Sequence, residues 1–169
     1  GELGTPSSTQ PKARVTYAAT WHDPLGRTIA MADYGTNGGT ALSRPDTVPA
    51  RSDTVLVTSL QYDSAGRLTA QTNPGGIKTC FDYDDAGRQV KQILNCVDSS
   101  SSSSSSSGGL EPDDTNVTVL TAYNADGNVE SITAVNAFTG NQTTQYVYGT
   151  SLADSGIASS LLKRAEIYP

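Results

Sequence analysis

Val55-Leu56-Val57-Thr58-Ser59-Leu60-Gln61-Tyr62 runs into Asp63-Ser64-Ala65-Gly66, and Arg67-Leu68-Thr69-Ala70-Gln71-Thr72 follows at once. The first segment is β-branched and aliphatic, so it reads as a strand. The carboxylate of Asp63 is placed to accept backbone N–H groups a few residues on, which starts a turn. Gly66 stands where a tight hairpin needs positive φ, a conformation that costs any residue with a Cβ. Arg67–Thr72 is then the returning strand. Asn73-Pro74-Gly75-Gly76 makes the next turn, and Ile77-Lys78-Thr79-Cys80-Phe81-Asp82-Tyr83 the next strand. The unit is strand, Asp-x-x-Gly turn, strand, loop.

The turn recurs. Tyr83-Asp84-Asp85-Ala86-Gly87-Arg88 repeats Tyr62–Arg67, and Asp23-Pro24-Leu25-Gly26-Arg27 precedes both, with His22 in the aromatic place. Tyr123-Asn124-Ala125-Asp126-Gly127-Asn128 is a softened copy, and Tyr146-Val147-Tyr148-Gly149 has the look of a fifth, incomplete one. Gly26, Gly66, Gly87 and Gly127 lie 40, 21 and 40 residues apart. A short recurring unit means a stack of equivalent pieces. The doubled gaps predict about two units each, with long connections that interrupt or replace a unit at 35–53 and 98–114. The second of these contains the run Ser99 to Ser107. The expected division is an irregular segment at 1–15, a repeat region at 16–150, and an extension or further repeat at 151–169. Neighbouring units are expected to bring Tyr62, Tyr83 and Tyr123 together in a ladder, ring faces buried and hydroxyls wet or bonded. Arg27, Arg67 and Arg88 are expected to pair with an acidic turn of the adjacent unit. Such an exposed pair contributes little to stability.

Tyr-Asp-x-x-Gly-Arg at intervals near twenty residues resembles the YD repeat, also called the RHS repeat. The likeness is specific at Tyr62–Arg67 and Tyr83–Arg88, good at Asp23–Arg27 and weak at Tyr123–Asn128, where Asn124 and Asn128 replace Asp and Arg. The resemblance implies an all-β fold, with antiparallel hairpins forming a curled, spiralling sheet. It also implies a large bacterial secreted or surface protein, of which this chain is a portion, or else a small relative that assembles with its own copies. In toxins of this family the shell encloses a toxic C-terminal segment. The motif that marks the self-cleaving end of those shells is not found after the repeats. Asp23-Pro24-Leu25-Gly26 has a superficial likeness to it, but sits at a repeat turn.

Composition narrows the functional classes. Only 17% of the 169 residues are charged, and the net charge is −6. A nucleic-acid binder would show a basic face, so nucleic acid is disfavoured. No run of 18 apolar residues exists, so no membrane span is expected. Aspartate outnumbers glutamate, which favours turns over helices. The best helical stretch, Ser159–Glu166, reads equally well as a strand.

Few residues invite a chemical role. Cys80 and Cys96 are the only cysteines, either bridged or both free. A plain hairpin turning at Asp84–Gly87 would put Cys80 opposite Lys91, so a bridge needs a bulge or a curled strand end. Closing a loop of this size would contribute about 3 kcal/mol and suit an oxidising compartment. His22 and Trp21 suggest a catalytic base or a sugar platform, but with no second histidine and no nucleophile motif, packing is the better reading. Asp84-Asp85 and Asp113-Asp114 read as solvated turns, not as metal ligands or an acid/base pair. Asn116-Val117-Thr118 and Asn141-Gln142-Thr143 fit the N-glycosylation triplet.

The expected role is therefore a non-catalytic structural segment of an extracellular or cell-surface protein, with no cofactor and no metal. Its partners would be adjacent repeats of a parent chain, or other copies that meet at exposed sheet edges. A carbohydrate- or protein-binding surface module and a segment of a toxin-enclosing cocoon are the alternatives. The residues expected to matter are those of the repeated turn: Asp23, Gly26, Arg27, Tyr62, Asp63, Gly66, Arg67, Tyr83, Asp84, Gly87, Arg88, Tyr123 and Gly127.

Overall fold

A computed structural model describes residues 14–97, 115–137, 139–148 and 163–168. The Ser99–Ser107 run, Asp113-Asp114 and most of the 1–15 and 98–114 segments lie outside the described residues. Apart from one short 3-10 turn at Asn37–Gly39, regular structure in the described residues is all β. The strands are β1 (Tyr17–His22), β2 (Thr28–Gly35), β3 (Leu56–Tyr62), β4 (Leu68–Thr72), β5 (Lys78–Tyr83), β6 (Gln89–Leu94), β7 (Val117–Tyr123), β8 (Val129–Ala134), β9 (Gln142–Tyr148) and β10 (Lys163–Ile167). The stretch legible as helix or strand thus overlaps β10 at residues 163–166. The chain divides into two compact units, one of residues 1–61 and 71–76, the other of 62–70 and 77–169.

In the first unit β1 pairs antiparallel with β2, and β2 with β3. Successive side chains of a strand point to opposite faces. One face collects Ala19, Trp21, Ala30, Ala32 and Val57, all buried, with Ile29, Tyr34 and Val55 packed against them. Three of these five are alanines, which leaves the sheet surface low enough for chain to lie across it. Trp21 fills the remaining depth and donates its indole N–H to the Pro45 carbonyl at 3.2 Å. His22, one residue on, is exposed. The expectation that both rings pack therefore holds for Trp21 and fails for His22, because alternation sends neighbours to opposite faces.

In the second unit β5 to β10 pair antiparallel in chain order. Among its described residues only Ala70 is buried. Leu94, Val117, Leu120, Ile132 and Val147 remain 36–43% exposed. Side-chain burial alone therefore contributes little to holding this sheet.

The 40-residue gap from Gly26 to Gly66 holds a single unit, with the long connection in place of a second. Between Gly26 and Gly66 lie only β2 and β3, as β4 and β5 alone lie between Gly66 and Gly87. Among the described residues between Gly87 and Gly127 there are again two strands, β6 and β7. A hairpin tolerates a long connection at little extra entropic cost, so the repeat absorbs inserted length without adding strands.

Candidate functional site

The repeated turn has one hydrogen-bond pattern. The amides of Gly26, Gly66, Gly87 and Gly127 donate to the carbonyls of Asp23, Asp63, Asp84 and Asn124 at 2.9–3.1 Å. The amides of those four residues donate to the carbonyls of Arg27, Arg67, Arg88 and Asn128 at 2.9 Å. The turn glycines sit at φ 79–86°, where a Cβ is strained whatever the surrounding space. Oδ1 of each Asp accepts the amide of the arginine four residues on, at 2.8–2.9 Å. Oδ2 accepts the Nε–H of that same arginine at 2.7 Å.

The ion pair of each arginine is therefore with the aspartate of its own turn, and the reach to the adjacent turn expected from the sequence is made by Arg67 to a backbone carbonyl instead of a carboxylate. The turn brings residues four apart within reach, and that proximity outweighs any distant carboxylate. At Asp63 the Arg67 amide and then its guanidinium hold the carboxyl below its ordinary 3.8, against burial. At Asp84 the Arg88 amide leads, burial opposes it, and the guanidinium adds to the lowering. At Asp23 burial is the largest influence and raises the value, but the Arg27 amide and guanidinium and the Leu25 amide together outweigh it.

What remains of the Arg67 and Arg88 guanidinium groups faces the next copy. Arg67 lies 5.1 Å from the ring centroid of Tyr83, and its Nη1 donates to the Asp84 carbonyl at 3.1 Å. Arg88 lies 4.5 Å from the ring centroid of Tyr123. Each tyrosine in turn donates its hydroxyl to a backbone carbonyl one residue past the preceding Arg: Tyr83 to Leu68 at 2.9 Å, and Tyr123 to Gln89 at 3.0 Å. Tyr148 does the same toward Val129, one residue past Asn128, at 2.8 Å. Tyr148 therefore occupies the aromatic place of the copy that begins near Tyr146. The ladder foreseen as ring against ring is built, at these steps, from a guanidinium on the ring and a hydroxyl on the backbone.

These stitches do not depend on chain length. They join Leu68 to Tyr83, Gln89 to Tyr123 and Val129 to Tyr148 across separations of 15, 34 and 19 residues. The geometry repeats in space while the connection varies.

A second regularity was not legible. Three hairpins with this turn carry a register shift just before the last residue of the first strand: Trp21/His22, Asp82/Tyr83 and Ala122/Tyr123. Such a bulge increases local twist and re-aims the following side chain, here into the aromatic place. The turn pairs Tyr83 with Gln89 in place of Arg88, and the bulge adds one residue more, which together move Cys80 from the expected Lys91 to Ile93. Past β6, Asn95 takes φ 49° and turns the chain, so that the Cys96 amide donates to the Lys78 carbonyl at 2.8 Å. The strand end thereby curls back over β5, and Cys80 and Cys96 form a disulfide with Cα atoms 5.9 Å apart.

The asparagines of the two glycosylation triplets are exposed and serve turns. Asn116 accepts the Val97 amide on Oδ1, and Asn141 the Asn136 amide, both at 3.1 Å. A cleft of about 420 Å³ in the first unit is lined by Arg14, Asp33, Tyr34, Asn37, Asp53 and Thr54, among others. No group of three metal-ligating residues occurs among the described residues. No helix among them is long and apolar enough to cross a membrane.

Residues 57–94, which run from β3 to β6, match the RHS Repeat family. No curated protein matches the chain. Among solved structures, TcdB2-TccC3-TEV is similar at 15% identity and a TM-score of 0.48, covering 78% of this chain and 6% of that one. TcdB2-TccC3-Cdc42 is similar at 15% identity and a TM-score of 0.32, covering 76% and 7%. TcdB2-TccC3 without its hypervariable C-terminal region gives 14%, 0.33, 76% and 7%. The chain spans less than a tenth of the length of each of these structures.

Proposed function

We propose that this RHS-repeat chain is a non-catalytic wall segment, whose work is to extend a β-sheet by one hairpin per repeat and to pack against adjacent repeats of a longer secreted or surface protein. One observation carries the reading: the hydroxyl-to-carbonyl stitch between successive copies, kept across connections of unequal length. The conserved pattern of contacts joins copy to copy and converges on no pocket. The second unit supports the same reading, because its apolar residues stay half covered on a sheet with a single buried residue among those described. A wall whose faces are completed by further repeats has this character. The disulfide suits an oxidising compartment.

In a repeat architecture stability is approximately a sum of unit and nearest-neighbour terms. The test duplicates one unit. A second copy of residues 67–87, the 21-residue spacing from Gly66 to Gly87, is inserted after Gly87, with Cys80 of the upstream copy replaced by serine so that the inserted copy's cysteine bridges to Cys96. The lengthened chain should unfold in one transition with a larger denaturant m-value and no loss of stability. A chain that unfolds in two separate transitions, or fails to fold while the parent folds, contradicts the wall.

A further inference from the structure

Among the described residues β1 pairs with one strand, β2, and forms the edge of the first unit. An antiparallel edge strand directs alternate N–H and C=O groups away from its neighbour, ready to pair with another strand. From Tyr17 to Trp21 the strand reads Tyr-Ala-Ala-Thr-Trp, without a charge, a proline or a glycine. Such segments pair readily with copies of themselves.

The connection between β2 and β3 meets this edge. Arg44 donates from Nη1 to the Thr20 carbonyl at 2.8 Å and lies 5.8 Å from the ring centroid of Trp21. The next residue, Pro45, accepts the Trp21 indole N–H. Two consecutive residues of the connection are thus tied to two consecutive residues of β1. Further along, Arg51 donates from Nε to the Val57 carbonyl at 3.1 Å and from Nη2 to Ser59 Oγ at 2.7 Å. Ser59 pairs with Ala30, which pairs with Trp21, so Arg51 and Pro45 grip the same face from opposite sides of β2. Between the two arginines stand Pro45 and Pro49, which have no N–H and cannot extend a ladder.

We propose that residues 36–55 form a cap, fastened to the sheet face through the Trp21 indole, which occupies the Thr20 carbonyl and so closes β1 to strand pairing with a second copy of this chain. The alanine floor of Ala19, Ala30 and Ala32 is what lets the cap lie low across the sheet. A second copy is the partner excluded because β1 uncapped presents an identical uncharged strand, and antiparallel β1–β1 pairing is self-complementary. This inference rests on the first unit alone and stands independently of the wall reading.

Trp21 is the chain's single tryptophan and is 5% exposed, so its fluorescence reports the cap directly. The experiment compares the intact protein with Arg44→Ala and Trp21→Phe by sedimentation velocity over a concentration series. Hydrogen exchange is read at the β1 amides, and at the β5–β6 amides as a control for folding. Arg44→Ala should shift the emission to the red and raise acrylamide quenching. It should strengthen self-association about tenfold, the equivalent of one charge-assisted hydrogen bond. Its β1 amides should gain protection as concentration rises. Trp21→Phe keeps an aromatic ring of smaller size, loses the bond to Pro45, and should associate more strongly than the parent. The proposal is overturned if both variants, with β5–β6 protection intact, associate as the parent does. It is equally overturned if the parent's own β1 amides gain protection with concentration.

Discussion

The softened copy offers a repair experiment. Asn124 and Asn128 keep half of the turn, since the Asn128 amide still donates to Asn124 Oδ1 at 2.9 Å. What is missing is the guanidinium that would be held by the turn and laid on the next ring. That ring is already in place, because Tyr148 donates to the Val129 carbonyl as Tyr83 and Tyr123 do to theirs. Asn124→Asp with Asn128→Arg should complete the unit. A guanidinium 4.5–5.1 Å from a tyrosine centroid, as at Arg88 and Arg67, contributes about 0.5–1 kcal/mol when partly exposed. The ion pair within the turn adds roughly 0.2–1 kcal/mol. Asn128 is already engaged, so the net gain is about 1 kcal/mol. The measurement is urea unfolding of the parent, both single variants and the double, with the disulfide intact. The double should exceed the sum of the singles by about 0.5 kcal/mol, since the carboxylate holds the guanidinium in place. If Asn128→Arg alone gives the whole gain, the turn does not position the arginine. If the double is no more stable than the parent, the stitch is not a source of stability.

Three further outcomes follow from the same geometry. Gly87→Ala should cost about 1–2 kcal/mol in chemical unfolding, because φ is 81° and nothing within 4 Å would clash, leaving strain as the whole effect. Cys80→Ser with Cys96→Ser should lower stability by about 3 kcal/mol, read as a matching difference between the oxidised and reduced parent. Asp23, Asp63 and Asp84 have folded-state values below the ordinary 3.8. Their contribution is full above that value and is lost as pH falls through the lower, folded one, so an acid titration should show a flat plateau above about pH 5 and a decline below pH 4. The decline should shrink in Asp84→Asn, whose turn then has the acceptor pattern of Asn124.

The strand-turn-strand order could be read from residues because each piece is a local matter. A β-branched run, an aspartate with a short acceptor, and a glycine at positive φ act within six residues of one another. Val55–Tyr62 and Ile77–Tyr83 accordingly contain β3 and β5 nearly whole. The tyrosine, aspartate, glycine and arginine of the turn were conspicuous for the same reason. Their partners were not. Whether Arg67 turns to Asp63 or to a neighbouring turn depends on where Nε points once the hairpin has closed. The carbonyls of Leu68, Gln89 and Val129 have no signature in the residues that bear them.

The amino-acid order by itself determined the element type, the turn chemistry and the repeat, since these depend on neighbours along the chain. Folding in three dimensions decided the rest: one unit in the gap from Gly26 to Gly66, the bulge before His22, Tyr83 and Tyr123, the curl that brings Cys96 to Cys80, and the contacts of Arg44 and Pro45 with β1. All of these join residues distant in sequence, where a backbone carbonyl or a register shift does the selecting. Such groups are common to every residue, and only their position in space tells them apart.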